Sequence, residues 1–491
     1  MTQSKLTKLL PKPYDPRDYQ LTAIQFLVEH ASAGLFLDPG LGKTSITLAA
    51  LSFLKSRKKV GKVLVIAPLR PCYTVWPGEI KKWSDFNGLT YEILHGKDKD
   101  AALARKADIY IINPEGLDWL LGAAKQGSGP RARVTIDKAR WAKLGFDVLV
   151  IDELSKFKHP ATTRFKALKN VLGTFGRRWG LTGSPASNGL QNLFGQAYCL
   201  DMGNALGPYK TAFLETFFYP DRMGYVWTIK PGAADEIYNR LAPLVLRMGN
   251  ELLDMPDLIE NNIWVTLPDD ARDVYDEMEK DFITAIDNKV VTAANAAAAS
   301  TKLRQVANGG IFLDAPVLAS GLQIPGAKRK WADLHLEKCD ALADLVDELQ
   351  GSPLLVAYDF EHDLARLREA FPKAVFACDY SMARFKGLED SWNRGEIPLL
   401  FGHPQSIGHG LNLQGSACHV AWHSMTWNLE LYDQFIGRVW RQGNNHKKVF
   451  VHHIMAAGTI DEVLYGALKS KDSTQKALFA GLKKLAEEKR R

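Results

Sequence analysis

Phe36-Leu37-Asp38-Pro39-Gly40-Leu41-Gly42-Lys43-Thr44 joins a short apolar run to a helical stretch. Leu35–Leu37 reads as a buried strand and Thr44–Lys55 as a helix. A glycine-rich turn between two such elements aims several backbone N–H groups at one point, and the helix that follows adds the positive end of its dipole. This is the build of a phosphate-binding loop. Gly40 and Gly42 permit the turn, Lys43 brings a charge to β- and γ-phosphates, and Thr44 offers a hydroxyl to Mg²⁺. The strict G-x-x-x-x-G-K-[ST] pattern has Leu37 in place of its first glycine. A chance turn before a helix is the competing reading, and Gly-x-Gly-Lys-Thr directly after an apolar strand speaks against it.

Outward from the loop, Val63–Ala67, Ile109–Ile112 and Val148–Ile151 are further short, nearly all-apolar runs, with helix-like segments such as Pro77–Trp83 between them. Strands buried on both faces of a parallel sheet look like this, and alternating β and α elements predict an α/β fold. Val148–Ile151 ends in Asp152-Glu153. Bare charge at the end of a core strand is costly unless it is used. Asp152 is expected to hold Mg²⁺, and Glu153 to orient and deprotonate a water attacking the γ-phosphate. Capping of a following helix is the alternative.

The α/β pattern returns after a different middle. Asp269–Val306 reads as helical, with an alanine tract at Ala293–Ala299, and Gly309–Lys330 reads as a loop. Cys339–Leu349 and Leu364–Ala370 are expected helices. Pro353–Tyr358, Ala374–Ala377, Pro398–Phe401 and Val420–Trp422 are expected strands. The expected domains are 1–240, a helical connector 241–335, and 336–491 with a basic helical end. In Gln434-Phe435-Ile436-Gly437-Arg438-Val439-Trp440-Arg441, a continuous helix would place Gln434, Arg438 and Arg441 on one face. The apolar neighbours predict a mostly buried helix, and a buried arginine pair needs an anion. A γ-phosphate supplies one, with the arginines acting as fingers on the transition state.

Composition bounds these readings. Of 491 residues, 46% are hydrophobic and 24% charged, which excludes a largely disordered chain. A net charge of +7 permits a polyanion partner without demanding one. The cysteines 72, 199, 339, 378 and 418 form no C-x-x-C pair, so neither a zinc ribbon nor a disulfide framework is expected. The N-terminal stretch has no apolar signal core, and no apolar run reaches membrane-spanning length. A cytoplasmic setting and a monomer are the expectations. The histidines of the second half, His403, His409, His419, His423, His446, His452 and His453, match no ligand spacing and read as core or groove residues.

The order of these segments resembles a family. Phosphate loop, Asp-Glu strand end, Leu181-Thr182-Gly183-Ser184-Pro185, a second α/β unit, Gly408-His409-Gly410-Leu411-Asn412-Leu413 and Gln-x-x-x-Arg-x-x-Arg succeed one another. The chain is similar, from about Asp15 to Gly466, to superfamily-2 helicase-type ATPases, and within them to Swi/Snf-type double-stranded DNA translocases of compact bacterial or phage form. The resemblance implies two RecA-like lobes with ATP between them. It implies that Gln20 reads adenine, that Gly410 lies beside the nucleotide, and that Thr182 and Ser184 couple hydrolysis to lobe motion. It places DNA contacts at Arg70, Trp76, Asn113 and Ser406. Ser155, Pro39 and Asn444 depart from the family pattern without removing a group that hydrolysis needs. The implied activity is an ATP-driven motor on double-stranded DNA. A strand-separating DNA or RNA helicase and a non-catalytic nucleotide switch are the alternatives.

Overall fold

The computed structural model describes residues 12–127, 133–183, 185–186, 189–220, 227–249, 255–287, 293–313, 330–381, 384–407 and 411–470, with only the backbone at 284–287 and 293–297. They divide into two compact units, Met1–Leu253 and Asp254–Arg491.

The first unit opens with α1 (Asp18–Glu29), β1 (Ser32–Leu37), α2 (Lys43–Ser56) and β2 (Lys62–Ile66). Two short helices follow, α3 (Leu69–Tyr73) and α4 (Val75–Lys82), and then β3 (Tyr91–Ile93), β4 (Ile109–Ile112), β5 (Phe146–Asp152), β6 (Arg177–Thr182), α5 (Leu193–Asp201) and β7 (Val245–Met248). The strands pair in parallel in the order β7-β1-β6-β5-β2-β4-β3. The inner strands β1, β6, β5, β2 and β4 are almost wholly buried, as both faces of a parallel sheet are covered by the crossover helices, while the edge strands β3 and β7 are more open.

Sequence patterning misses β6, because it begins with two arginines. Their guanidiniums satisfy carbonyls that helix ends leave unpaired. Arg177 donates to the carbonyls of Leu27 and Val28 in the last turn of α1 and of His30 just after it, and Arg178 to those of Leu172, Phe175 and Leu200. The strand thus carries charge into the core's edge, where its arginines tie neighbouring elements together.

The second unit contains β8 (Asp257–Val265), α6 (Asp269–Asp287), α7 (Ala293–Ala307), α8 (Glu337–Glu348), β9 (Leu354–Ala357), α9 (Glu361–Ala370), β10 (Val375–Phe376) and β11 (Leu399–Gly402). It ends with β12 (His419–Trp422), α10 (Leu429–Ile436), β13 (Lys448–Ala456) and α11 (Ile460–Ser470). The sheet is again parallel, in the order β8-β13-β12-β9-β11-β10. Both units therefore have the expected α/β class.

The separate connector expected at 241–335 does not form. β7 completes the first sheet, whereas β8 runs along β13 of the second. Tyr275 and Phe282 of α6 and Leu303 and Val306 of α7 belong to the second unit's core. Part of the expected loop Gly309–Lys330 is a strand, since Gly310–Phe312 pairs antiparallel with Trp331–Asp333; residues 314–329 and the basic end beyond Ser470 lie outside the described residues. His452 and His453 are buried in β13 opposite Asn261 and Asn262, with which they make in-register 3.1 Å hydrogen bonds.

Candidate active site

At the C-terminal edge of the first sheet, β1 runs into the glycine turn and then α2. Gly40 and Gly42 have φ of 96° and 80°, a region open to glycine at little cost. Gly42 is doubly constrained, since a Cβ there would lie 2.6 Å from Gln20 Nε2. Gln20 Nε2 donates to the Leu41 carbonyl at 3.3 Å, and its Oε1 accepts from the Arg17 N–H at 3.0 Å. Gln20 is thereby held beside the loop. Lys43 and Thr44 open α2, and the Lys43 ammonium donates to the carbonyls of Leu37, at 2.7 Å, and Asp38, at 3.3 Å.

β6 lies between β1 and β5, with Phe36 opposite Thr182 and Asp152 opposite Leu181. The buried Thr182 therefore separates the loop from the acid pair within one sheet edge. Burial pushes the Asp152 carboxyl above its ordinary range, opposed by a hydrogen bond from Trp76, the Lys43 charge and the Glu153 backbone N–H. A divalent cation would reverse that direction. Glu153 has φ 59° and ψ 62°, a left-handed backbone that is unusual for a side-chain-bearing residue. Its side chain makes no capping hydrogen bond to the short 3₁₀ turn Leu154–Phe157 that follows, which speaks against Glu153 as a cap.

The sheet edge gathers Gln20, Gly40, Gly42, Lys43, Thr44, Asp152, Glu153 and Thr182. A carboxylate beside a threonine at a helix N-terminus is an all-oxygen donor set, which suits Mg²⁺, and the loop suits a polyphosphate. Ser184 and Gly410 lie outside the described residues.

The expected DNA contacts of this unit fare differently. Trp76 is fully buried, and its indole Nε1 donates to Asp152 Oδ2 at 2.9 Å. It packs inside and touches the acid, so the expectation of a strand contact is corrected. Asn113 is also buried, with its amide on Glu115 at 2.8 Å, and the same correction applies. Arg70 is half-buried, and desolvation brings its guanidinium down to about 10.

In the second unit the expected single helix through Arg441 is corrected. α10 stops at Ile436, where Gly437 begins a series of tight turns, with Arg438 N–H on Phe435 O and Val439 N–H on Ile436 O. Gln434 is buried in α10, its Nε2 3.3 Å from Glu430 and its Oε1 without a hydrogen-bond partner. Arg438 and Arg441 follow the helix and are half-buried. Arg438 donates to the carbonyls of Gln434, at 2.9 Å, and Leu411, at 3.0 Å, and Arg441 donates to Asn412 Oδ1. Ser406 is half-buried, with its hydroxyl on the His403 carbonyl at 2.8 Å.

Sequence reasoning missed a polar cluster at the C-terminal edge of this sheet. Arg304 pairs with Asp359, which accepts from His403 at 3.1 Å, and Arg304 also donates to the Met425 carbonyl. His403 directly follows the apolar strand β11 and Asp359 comes two residues after β9, the same kind of signal that exposed Asp152. Among the described residues, no group of three or more His, Cys, Asp or Glu is arranged to hold a metal, and no helix is long and apolar enough to cross a membrane.

Comparison with known proteins gives the relationship. Residues 19–314 match the model of the SNF2-related domain. "Putative protein p41" of Acyrthosiphon pisum secondary endosymbiont phage 1 is 34% identical over 491 aligned positions, covering 96% of this chain and all of that protein. The ISWI chromatin-remodeling complex ATPase ISW2 of Saccharomyces cerevisiae is 24% identical over 91% of this chain, which spans only 39% of that protein. The Sulfolobus solfataricus SWI2/SNF2 ATPase core in complex with dsDNA is a structural neighbour at TM-score 0.43 and 20% identity, covering 98% of this chain and 97% of that one. The chain belongs to the SNF2-related family.

Proposed function

We propose that this protein hydrolyses ATP with Mg²⁺ and uses the reaction to move along double-stranded DNA. The observation that carries the reading is the single sheet edge at which a glycine loop with Lys43 stands with Asp152 and a left-handed Glu153. Gln20 orients the base, the loop amides and Lys43 hold the phosphates, and Thr44 and Asp152 hold the cation. When bound, Mg²⁺ neutralises charge that develops on the transferring phosphoryl group. Glu153 accepts the proton of the attacking water. Arg438 and Arg441 stabilise the transition state, Gln434 supports them, and Thr182 and Ser184 relay the chemistry to the rest of the chain. Family membership, together with the DNA complex of the archaeal neighbour, motivates double-stranded DNA as the track. Grip on phosphates makes binding sequence-independent and salt-sensitive.

Phosphate release measured with and without duplex DNA tests the reading, with displacement of a third strand from a triplex as the readout of movement. Duplex-stimulated hydrolysis with triplex displacement is the expected result. Turnover indifferent to nucleic acid refutes the motor, and unwinding of a forked duplex assigns the strand-separating alternative instead.

A further inference from the structure

Trp76 is an indole in an unusual place. Of the other buried indoles, Trp179 and Trp392 donate to backbone carbonyls, of His30 at 3.1 Å and Leu413 at 2.9 Å, Trp141 donates to the Thr174 hydroxyl at 3.0 Å and Trp422 has no acceptor among the described residues, while the half-buried Trp83 meets a carboxylate only one turn away in its own segment, that of Glu79. A buried indole N–H needs some acceptor, and a carbonyl is the common one. Trp76 instead reaches the carboxylate that ends the neighbouring strand. The route is short. β2 and β5 are adjacent and in register, with Ile66 opposite Ile151, and the chain leaving β2 turns through α3 into α4, which carries Trp76.

We infer that Trp76 is a positioning residue for the metal-binding acid: its N–H fixes Asp152 Oδ2 and leaves Oδ1 to serve the divalent cation. The inference rests on the proposed role of Asp152. The chemistry of the donor favours it. An indole N–H is neutral and cannot accept, so it orients one oxygen without cancelling the carboxylate's charge or competing as a ligand. The ring is fully buried and turns about few bonds, so the donor stays where the packing puts it. Partners that orient a metal ligand in this way typically contribute about 10- to 100-fold in metal affinity.

The test uses the full chain, Mn²⁺ as the probe and a non-hydrolysable ATP analogue, with free Mn²⁺ read by electron paramagnetic resonance. Trp76→Phe keeps an aromatic ring and removes the donor. It should raise the Mn²⁺ dissociation constant about 10-fold or more, leave analogue affinity without metal unchanged, and regain turnover at high Mn²⁺. Unchanged Mn²⁺ affinity overturns the inference, as does an equal loss of analogue affinity without metal, which would make Trp76 a packing residue. If Trp76→Phe melts early, β-(3-benzothienyl)alanine at position 76 preserves the shape without the N–H and decides by the same two readings. Asp152→Asn runs in parallel. Mn²⁺ binding that survives it refutes the assignment of Asp152 itself, whatever Trp76 does.

Discussion

Glu153 joins two properties that substitutions at this one position separate. Its carboxylate is the proposed base, and its backbone is left-handed, with φ 59°. Glu153→Gln keeps the size and the backbone demand but cannot take a proton. Hydrolysis should fall about 10²-fold or more, the scale of general-base loss, while nucleotide still binds. Glu153→Gly removes the same base and also relieves the backbone. A left-handed conformation costs a side-chain-bearing residue about 1–2 kcal/mol, and glycine's extra freedom in the unfolded chain returns about 0.5–1 kcal/mol of that. The net expectation is that the glycine variant is about 0.5–1 kcal/mol more stable than an alanine variant. For a domain of about 250 residues that is roughly 1–4 °C in Tm. Glutamine keeps side-chain contacts that glycine loses, so Glu153→Ala, which strips those contacts and keeps the backbone demand, is the reference for the strain. Scanning calorimetry reads the stability, and single-turnover phosphate release reads the chemistry. A glycine variant no more stable than the alanine variant refutes stored strain. Wild-type turnover in the glutamine variant refutes the base.

Lys43→Ala should abolish turnover and weaken nucleotide binding in a fluorescent-analogue titration; near wild-type hydrolysis would remove the phosphate-loop assignment. Arg441→Ala should leave nucleotide affinity nearly intact while cutting DNA-stimulated turnover about 10³-fold, and Arg441→Lys should rescue little because an ammonium lacks the planar fork; weakened DNA binding with normal turnover of the bound complex would reassign Arg441 to DNA. Burial lowers His335, His452 and His453 to about 4 and His423 to about 3. The folded chain therefore binds fewer protons than the unfolded chain from about pH 6.5 down to about 4. Stability should fall across that window by about 1.4 kcal/mol per pH unit for each histidine fully in it, and denaturant midpoints that stay level from pH 7 to pH 5 would contradict the buried neutral state.

What the sequence disclosed follows from which groups were buried without partners of their own kind. β2, β4, β5, β9 and β11 are nearly all apolar, and Ile109–Ile112 coincides with its strand. Asp152 and Glu153 stood out because carboxylates end an apolar run. The hidden strands of the two parallel sheets carry polar residues whose partners lie elsewhere in the fold. β6 begins with arginines that serve helix ends, and β8 and β13 carry asparagines and histidines that satisfy one another across the ladder. Trp76 was assigned to DNA through the family resemblance, and its neighbours in sequence carry no mark that tells a nucleic-acid contact from a carboxylate inside. Only the register of β2 on β5 distinguishes them. The end of α10 did have a signal in the sequence, Gly437, in a stretch where periodicity alone favoured continuation.

That early helix end changes how the arginines should be understood. The turns after Gly437 are bound to the segment that follows Gly410 from both sides. The Leu413 N–H donates to Arg438 O at 3.0 Å, Arg438 donates back to Leu411 O, and Arg441 holds Asn412 Oδ1. Asn412 and Leu413 are anchored in turn, through their carbonyls, by Asn393 at 2.7 Å and Trp392 at 2.9 Å. Two motifs separated by some 25 residues of sequence are thus one hydrogen-bonded body, and neither arginine is an independent arm on a helix. A substitution at Asn412 should then act on turnover through Arg441 and be non-additive with Arg441→Ala, because residues sharing one network do not contribute independently. Full additivity of Asn412→Ala with Arg441→Ala in a double-mutant cycle would show that the two motifs work separately despite their contact.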